Sequence, residues 1–179
     1  QMRARFLIRS EQVSLEKKVF FVDSEIRSPS ENLAINALYV NLIGNGGYDL
    51  ITRVYKHSPG VILGNRQSIA DVNTSHCEQL GYEVVKRPTG GSAVVVDPES
   101  ALCYSIFLNP LRLAINGGPH PLYRAITFPL AQKLGENLSV EGTYYLRYKK
   151  NGLNVPLAGH AIKVHKKSEV YQFDGIVNL

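Results

Sequence analysis

Residues 86–97 read KRPTGGSAVVVD: two cations, a proline, a Thr-Gly-Gly-Ser turn, then three valines closed by an aspartate. Gly90 and Gly91 can take positive φ and leave their backbone N–H groups open to an approaching anion. Arg87 stays charged at any physiological pH and can fork onto a phosphate or carboxylate. Pro88 stiffens the approach, and the valines anchor the loop on a buried strand. Chemistry alone leaves two readings, a rigid nest for an acyl or nucleotide phosphate and a plain β-turn between two strands.

The neighbouring sequence sets this loop among strands. YEVVKR (82–87) runs into it, and SAVVVD (92–97) leaves it and is expected to pair with LCYSIFLN (102–109) as a hairpin about Pro98–Glu99. Upstream, LITRVYKH (50–57) and GVILG (60–64) read as strands, KKVFFVD (17–23) as another, and DVNTSHCEQLG (71–81) as a short helix stopped by Gly81. Ser28-Pro29-Ser30-Glu31 is a helix start, with Ser28 as N-cap, Pro29 at the first helical position and Glu31 completing a capping box. Leu33, Ala37, Val40 and Ile43 then follow at helical spacing until Asn45-Gly46-Gly47. Downstream, HPLYRAITFPLAQKLG (120–135) is an amphipathic helix with Pro129 inside it. TYYLRYKK (143–150), GHAIKVHKK (159–167) and EVYQFDGIV (169–177) are strands joined by turns at KKNG and HKKSE. Few helices and many strands predict a mixed α/β chain of the α+β kind, a largely antiparallel sheet with helices packed to one side. Neither GxGxxG nor a P-loop pattern occurs, which argues against a doubly wound nucleotide fold.

The length of 179 residues fits one domain. A hydrophobic share of 44% and a charged share of 20% are those of an ordinary globular chain. No apolar run approaches the ~18–20 residues of a membrane span, and the start QMRARFLIRS does not read as a signal peptide. Cys77 and Cys103 lack metal-type spacing and sit in apolar settings, so we expect buried free thiols in a reducing compartment, the cytoplasm. The formal charge is +5, and Arg147, Lys149, Lys150, His160, Lys163, His165, Lys166 and Lys167 fall late in the chain. That pattern suits either an acidic partner (phosphate, nucleic acid or an acidic protein) or a solvated face.

Two further segments are candidates for a site. In VILGNRQS (61–68) a strand ends in glycine and passes Arg66. In LAGHAIKV (157–164) Gly159 permits close backbone approach beside Ala161, and Lys163 adds a charge. Either segment alone is equally readable as ordinary structure, a polar loop or an edge strand.

In order and spacing, however, these segments resemble the lipoate–protein ligase branch of the biotin/lipoate ligase superfamily. The family carries N-L-A-x-E on an early helix, where this chain has ENLAINALYV. It carries a strand ending G-x-x-Q-N, here GNRQSIADVN, and R-R-x-x-G-G-G-A-V-x-H-D, here KRPTGGSAVVVD. Its K-x-x-G-x-A and later H-G-x-L-L correspond to PLAGHA and FDGIVNL. The resemblance spans roughly residues 17–179 and implies a class II synthetase-like catalytic domain occupying 1–179. It also implies a chemistry: lipoate or octanoate binds in an apolar slot, ATP with Mg2+ turns it into an acyl-adenylate, and the acyl group moves to a lysine of a small acidic lipoyl acceptor domain. Arg87, Thr89, Gly90, Gly91, Ser92, Ala93 and Val94 would wrap the adenylate, with Gly159, Ala161 and Arg66 beside it.

The departures from the family pattern fall on chemistry. The family lysine that touches the reacting carboxyl is Pro156 here, for which Lys163 or Lys149 would have to substitute. The family histidine of the central motif is Val96, its third glycine Ser92, its helix glutamate Asn36 and its late histidine Asp174. Thr143-Tyr144 stands where an Asn-Asp pair is usual, and no cysteine lies near position 143, so thiol catalysis is not expected. We also expect the smaller accessory domain of full ligases to come from another polypeptide or to be unnecessary. Two alternatives to an enzyme follow: a non-catalytic paralogue that holds an acyl-adenylate, nucleotide or carrier protein, and a nucleic-acid binder using Tyr144, Tyr145 and Tyr148.

Overall fold

Ser28-Pro29-Ser30-Glu31 does start a helix. In the computed structural model, which describes residues 17–134, 138–141, 145–150 and 153–179, the Glu31 N–H donates to Ser28 Oγ at 3.2 Å and the Ser28 N–H donates to Glu31 Oε2 at 2.9 Å. This box opens α1 (Pro29–Gly44). The remaining elements, in chain order, are β1 (Val19–Arg27), β2 (Leu50–His57), β3 (Gly60–Leu63), α2 (Thr74–Gln79), β4 (Glu83–Lys86), β5 (Val94–Val96), β6 (Ala101–Leu108), α3 (Pro119–Leu134), β7 (Leu138–Glu141), β8 (Tyr145–Lys150), β9 (Leu153–His165) and β10 (Val170–Asn178). β1 precedes α1, and a single 3-10 turn at Ile69–Asp71 precedes α2.

Seven strands form one sheet in the order β1-β2-β6-β10-β9-β8-β7, and three form a second in the order β4-β3-β5. Apart from the parallel pairs β1–β2 and β3–β4, every neighbour is antiparallel. The chain is therefore a mixed α+β fold with a mostly antiparallel sheet, as expected.

Three expectations are corrected. SAVVVD and LCYSIFLN do not form a hairpin: Val96 pairs with Gly60 and Val94 with Ile62, while β6 lies between β2 and β10. A long strand in the middle of a sheet satisfies backbone groups on both edges, and the turn in which Ser100 and Ala101 N–H bond the Asp97 carbonyl carries the chain from one sheet to the other. The helices do not share one side either. Asp174 faces the α1 side, whereas its neighbour Phe173 packs edge-to-face on Tyr123 of α3, 5.2 Å between ring centroids; the two-residue period of β10 sends them to opposite faces. Finally, the buried stripe of α1 is Asn32, Asn36, Val40 and Ile43 in place of the expected Leu33, Ala37, Val40 and Ile43. Its first two turns meet polar side chains of β2 and β6, while Val40 and Ile43 join Ile51, Phe107 and Val170 in the apolar core.

β8 and β9 pair antiparallel as far as Lys150 opposite Leu153. Thr143-Tyr144, residues 1–16 and Asn151-Gly152 lie outside the described residues, as do the side chains of Tyr145 and Lys149. Among the described residues no helix is long and apolar enough to cross a membrane.

Candidate functional site

Alternation along β2 turns Ile51, Arg53, Tyr55 and His57 to the face that α1 covers. Register brings Ser105 beside Arg53 and Cys103 beside Tyr55, then Asp174 beside Ser105, and Ala161 beside Asp174. This row is polar and buried. Arg53 is fully buried, donates to Asn36 Oδ1 at 3.0 Å and to Asn32 Oδ1, and stacks 4.0 Å from the Tyr55 ring. Asn36 Nδ2 donates to Tyr55 Oη and Ser105 Oγ, each at 3.2 Å.

Asp174 ends the row. Ser105 Oγ donates to its Oδ1 at 2.7 Å and Thr89 Oγ1 to its Oδ2 at 3.0 Å, while Gln172 Nε2 contacts both oxygens at 3.1 and 2.9 Å. These contacts fill the lone-pair sites of the carboxylate. Burial raises the Asp174 carboxyl above its ordinary range, against the pull of those hydrogen bonds and the Arg87 charge. A raised carboxyl stabilises the fold below the unfolded value and loses that contribution as pH rises through the folded one. Asp174→Asn removes the titrating carboxyl but sets an NH2 against the Gln172 Nε2 donor, so it is expected to start below the wild type at pH 4 and to lose less stability than the wild type between pH 4 and pH 8. Equal offsets at both pH values in thermal melts would show that the Asp174 charge costs nothing.

Thr89 ties the glycine loop to this row. On its other side the loop rests on Gly64, where an added Cβ would lie 1.9 Å from the Gly91 carbonyl oxygen. The two sequence segments GNRQ and PTGGS are thus packed backbone to backbone, and the Asn65 N–H bonds the Thr89 carbonyl at 3.0 Å. Gly91 has φ +96°, a conformation glycine can take, whereas Gly90 is not at positive φ.

Arg87 folds back on the loop. It donates to the Gly90 carbonyl from Nε at 3.2 Å and from Nη2 at 2.7 Å, to the Ser92 carbonyl at 2.9 Å and to the Ile62 carbonyl at 3.0 Å. With the carbonyls turned to Arg87, the N–H groups of Gly90, Gly91 and Ser92 make no hydrogen bond among the described residues. Arg87 thus braces the loop, and the amides are left open to an approaching anion.

Between loop and sheet lies a cavity of about 150 Å³. Arg87, Gly90, Gly91, Ser92 and Val94 form one wall, Gly159 and Ala161 another, and Leu33, Ile62, Val96, Cys103 and Ile176 make most of the rest apolar. Three segments far apart in sequence therefore meet at one place. Of the other expected site residues, Thr89 is buried behind the wall, while Ala93 and Arg66 are exposed. Lys163 is half-buried on the Gly159–Ala161 face but one step beyond it, opposite Gln172, and Pro156 is exposed.

Of the positions at which the sequence departs from its resemblance, Asn36, Ser92, Val96 and Asp174 border the cavity and Pro156 does not. Sequence reasoning missed Tyr55 and His57, which also border it; the only signal was a strand whose apolar residues divide between both faces. Cys103 lies on the wall, but burial, assisted by the Asp174 charge, pushes its thiol up to about 12, which leaves it protonated and unreactive. Cys77 is half-buried on α2, away from the cavity, and not buried as expected.

Residues 28–177 match the family described as "Lipoyl protein ligase A/B catalytic domain". Among curated proteins, the chain is 37% identical over 124 residues to octanoyltransferase LipM of Carboxydothermus hydrogenoformans, covering 68% of this chain and 45% of that protein. It is 35% identical over 81 residues to lipoate-protein ligase LplJ of Bacillus subtilis, covering 44% of this chain and 24% of that protein. The chain thus spans less than half the length of these relatives. Among solved structures, a bi-partite lipoate protein ligase from Thermoplasma acidophilum superposes with a TM-score of 0.68 at 16% identity, over 90% of this chain and 60% of that one. Lipoate-protein ligase A bound with ATP superposes at 0.66 with 17% identity, over 91% of this chain and 66% of that one.

Proposed function

The chain belongs to the lipoyl protein ligase A/B catalytic-domain family, and on that footing we propose that it moves an activated lipoyl or octanoyl group onto a lysine of a lipoyl acceptor domain. The observation that carries this reading is the convergence of the glycine loop and the Gly159–Ala161 strand on one largely apolar cavity. The acyl chain would lie along the apolar wall, with its phosphate on the open amides of Gly90, Gly91 and Ser92. The acceptor amine would attack the acyl carbonyl, AMP would leave as the phosphate anion, and the surplus ammonium proton would pass to solvent.

Arg87 is engaged by its own loop and Pro156 brings no charge. Positive charge at the reacting carbonyl would therefore come from Lys163, about 7 Å along the strand from Ala161 and on the same face, within the length of its side chain. The exposed Lys166 and Lys167 of the β9–β10 turn would face an acidic acceptor. The amides fit the phosphate of an adenylate built from ATP. Mg2+ at such sites is held mainly by nucleotide phosphates and water; the described residues contain no cluster of three His, Cys, Asp or Glu side chains, and no step here runs through a metal.

The loss of the family lysine favours one second reading, a paralogue that holds the acyl-adenylate without transferring it. The deciding experiment is intact mass of a lipoyl acceptor domain after incubation with preformed lipoyl-adenylate, with and without this protein and its Lys163→Ala variant. A mass gain above the protein-free control supports transfer, and its loss in Lys163→Ala places that lysine in the reaction. Adenylate bound without a gain supports the second reading, and neither binding nor gain would reduce the likeness to one of fold.

A further inference from the structure

His57 is 3% exposed yet borders the cavity. Its Nδ1 lies 3.1 Å from Asn32 Nδ2. The Asn32 amide cannot be turned round, because its Oδ1 accepts from Arg53. Asn32 Nδ2 shares its two hydrogens among the Arg27 and Lys56 carbonyls and His57 Nδ1 and cannot accept one, so a hydrogen on Nδ1 would meet only a donor, and the ring hydrogen belongs on Nε2. Among the described residues that Nε2–H has no partner. Burial first, and the Arg53 charge second, push the imidazole down to about 4, so at neutral pH it is an uncharged ring with one unpaired donor.

The topology says where along the cavity this donor stands. β2 and β9 are separated by β6 and β10, three inter-strand steps or roughly 14 Å, a length that holds an octanoyl-sized chain with its head group. The glycine loop is pinned by Thr89 to Asp174 on β10, next to β9. The reacting end therefore belongs at the β10–β9 side, and the far end of an acyl chain reaches β2. There the walls are Leu33, Val96 and Cys103, and the Tyr55 hydroxyl is already engaged by Asn36 and Ser105. Among the described residues there, His57 is the strong donor left with a hydrogen to give, the Cys103 thiol being a weak one.

We propose that His57 makes this cavity selective for acyl groups whose far end carries a hydrogen-bond acceptor over plain alkyl acyl groups. A hydroxyl or keto oxygen is the best match; the sulfur of a cyclic disulfide is a weaker one. The physical ground is asymmetric: a chain ending in methyl would seal the donor away from water without a partner, whereas an acceptor restores what water supplied. This inference rests on the acyl-transfer reading above.

The test is calorimetric binding of octanoate and 8-hydroxyoctanoate to the wild type, His57→Phe and His57→Gln. The expected result is a preference of about tenfold for 8-hydroxyoctanoate in the wild type, lost or reversed in His57→Phe and kept in His57→Gln, which retains an amide donor. His57→Phe should fold, since both Asn32 Nδ2 hydrogens still reach the Arg27 and Lys56 carbonyls at 3.2 and 3.0 Å; a thermal melt verifies this. Equal affinities for the two acids in the wild type, or a preference unchanged in His57→Phe, would overturn the selectivity. Failure of both acids to bind any of the three proteins would instead overturn the acyl-binding reading on which it stands.

Discussion

Gly64→Ala is expected to weaken binding of a non-hydrolysable octanoyl-adenylate analogue by about 100-fold while leaving a folded protein. The added methyl would sit 1.9 Å from the Gly91 carbonyl oxygen. A Cβ is fixed by its own backbone and the oxygen is main chain, so no rotamer change relieves the clash and the loop must move by more than an ångström. Its means of moving are limited. Gly91 is held at φ +96°, Thr89 is bonded to Asp174, and Arg87 grips the Gly90 and Ser92 carbonyls. A displacement of about 1 Å at a preorganised site commonly costs on the order of 10² in function. The pairing of β3 with β4 and β5 does not depend on Gly64, which follows the strand. Calorimetry with the analogue and a circular-dichroism melt measure the two halves separately; near wild-type affinity would mean that the loop is not the phosphate site.

Acidification is expected to cost the wild type about 3 kcal/mol through His57 alone. The imidazole falls from 6.5 to about 4 on folding, because burial and the nearby Arg53 disfavour its charged form. The sign follows from linkage: the neutral ring stabilises the fold above pH 6.5, and the contribution is lost as pH drops through the folded value near 4. About 2.5 units at 1.36 kcal/mol each give the magnitude. His57→Phe has no such group. Urea midpoints at pH 7.5 and pH 4 should therefore fall further in the wild type than in the variant, by roughly that amount. Asp174 works in the opposite direction in both proteins and drops out of the difference. Parallel losses would place the acid sensitivity elsewhere.

Both predictions concern residues of unequal visibility in the sequence. The glycine loop and the capping box were legible because each is a local rule: a short run of residues satisfies its own backbone or needs its own φ. The pairing of β5 with β3, across a strand and a helix, obeys no local rule, and adjacency in sequence pointed to β6 instead. His57 and Tyr55 were harder still. In LITRVYKH the apolar residues divide between the two faces, so alternation cannot say which face is inside. The answer depends on Asn32 and Asn36 of α1 and on Ser24 of β1, which supply the partners that make a buried arginine tolerable. The same dependence hid the stripe of α1, where two asparagines take places that periodicity alone gives to leucine and alanine. The sites of Asn36, Val96 and Asp174 were visible only as departures from a pattern; that all three face one cavity required the fold.

β10 runs through the middle of the large sheet, yet it is made of residues 170–178. During synthesis, β1, β2 and β6 on one side and β7, β8 and β9 on the other emerge first and have no edge in common. Only when β10 slides between β6 and β9 are the halves joined, and the same insertion delivers Asp174 to Thr89, 85 positions earlier. The pocket is thus assembled by a long-range contact, which costs loop entropy and forms late. A nascent chain stalled before residue 170 would hold a complete glycine motif but no formed site, and two unpaired strand edges exposed to chaperones.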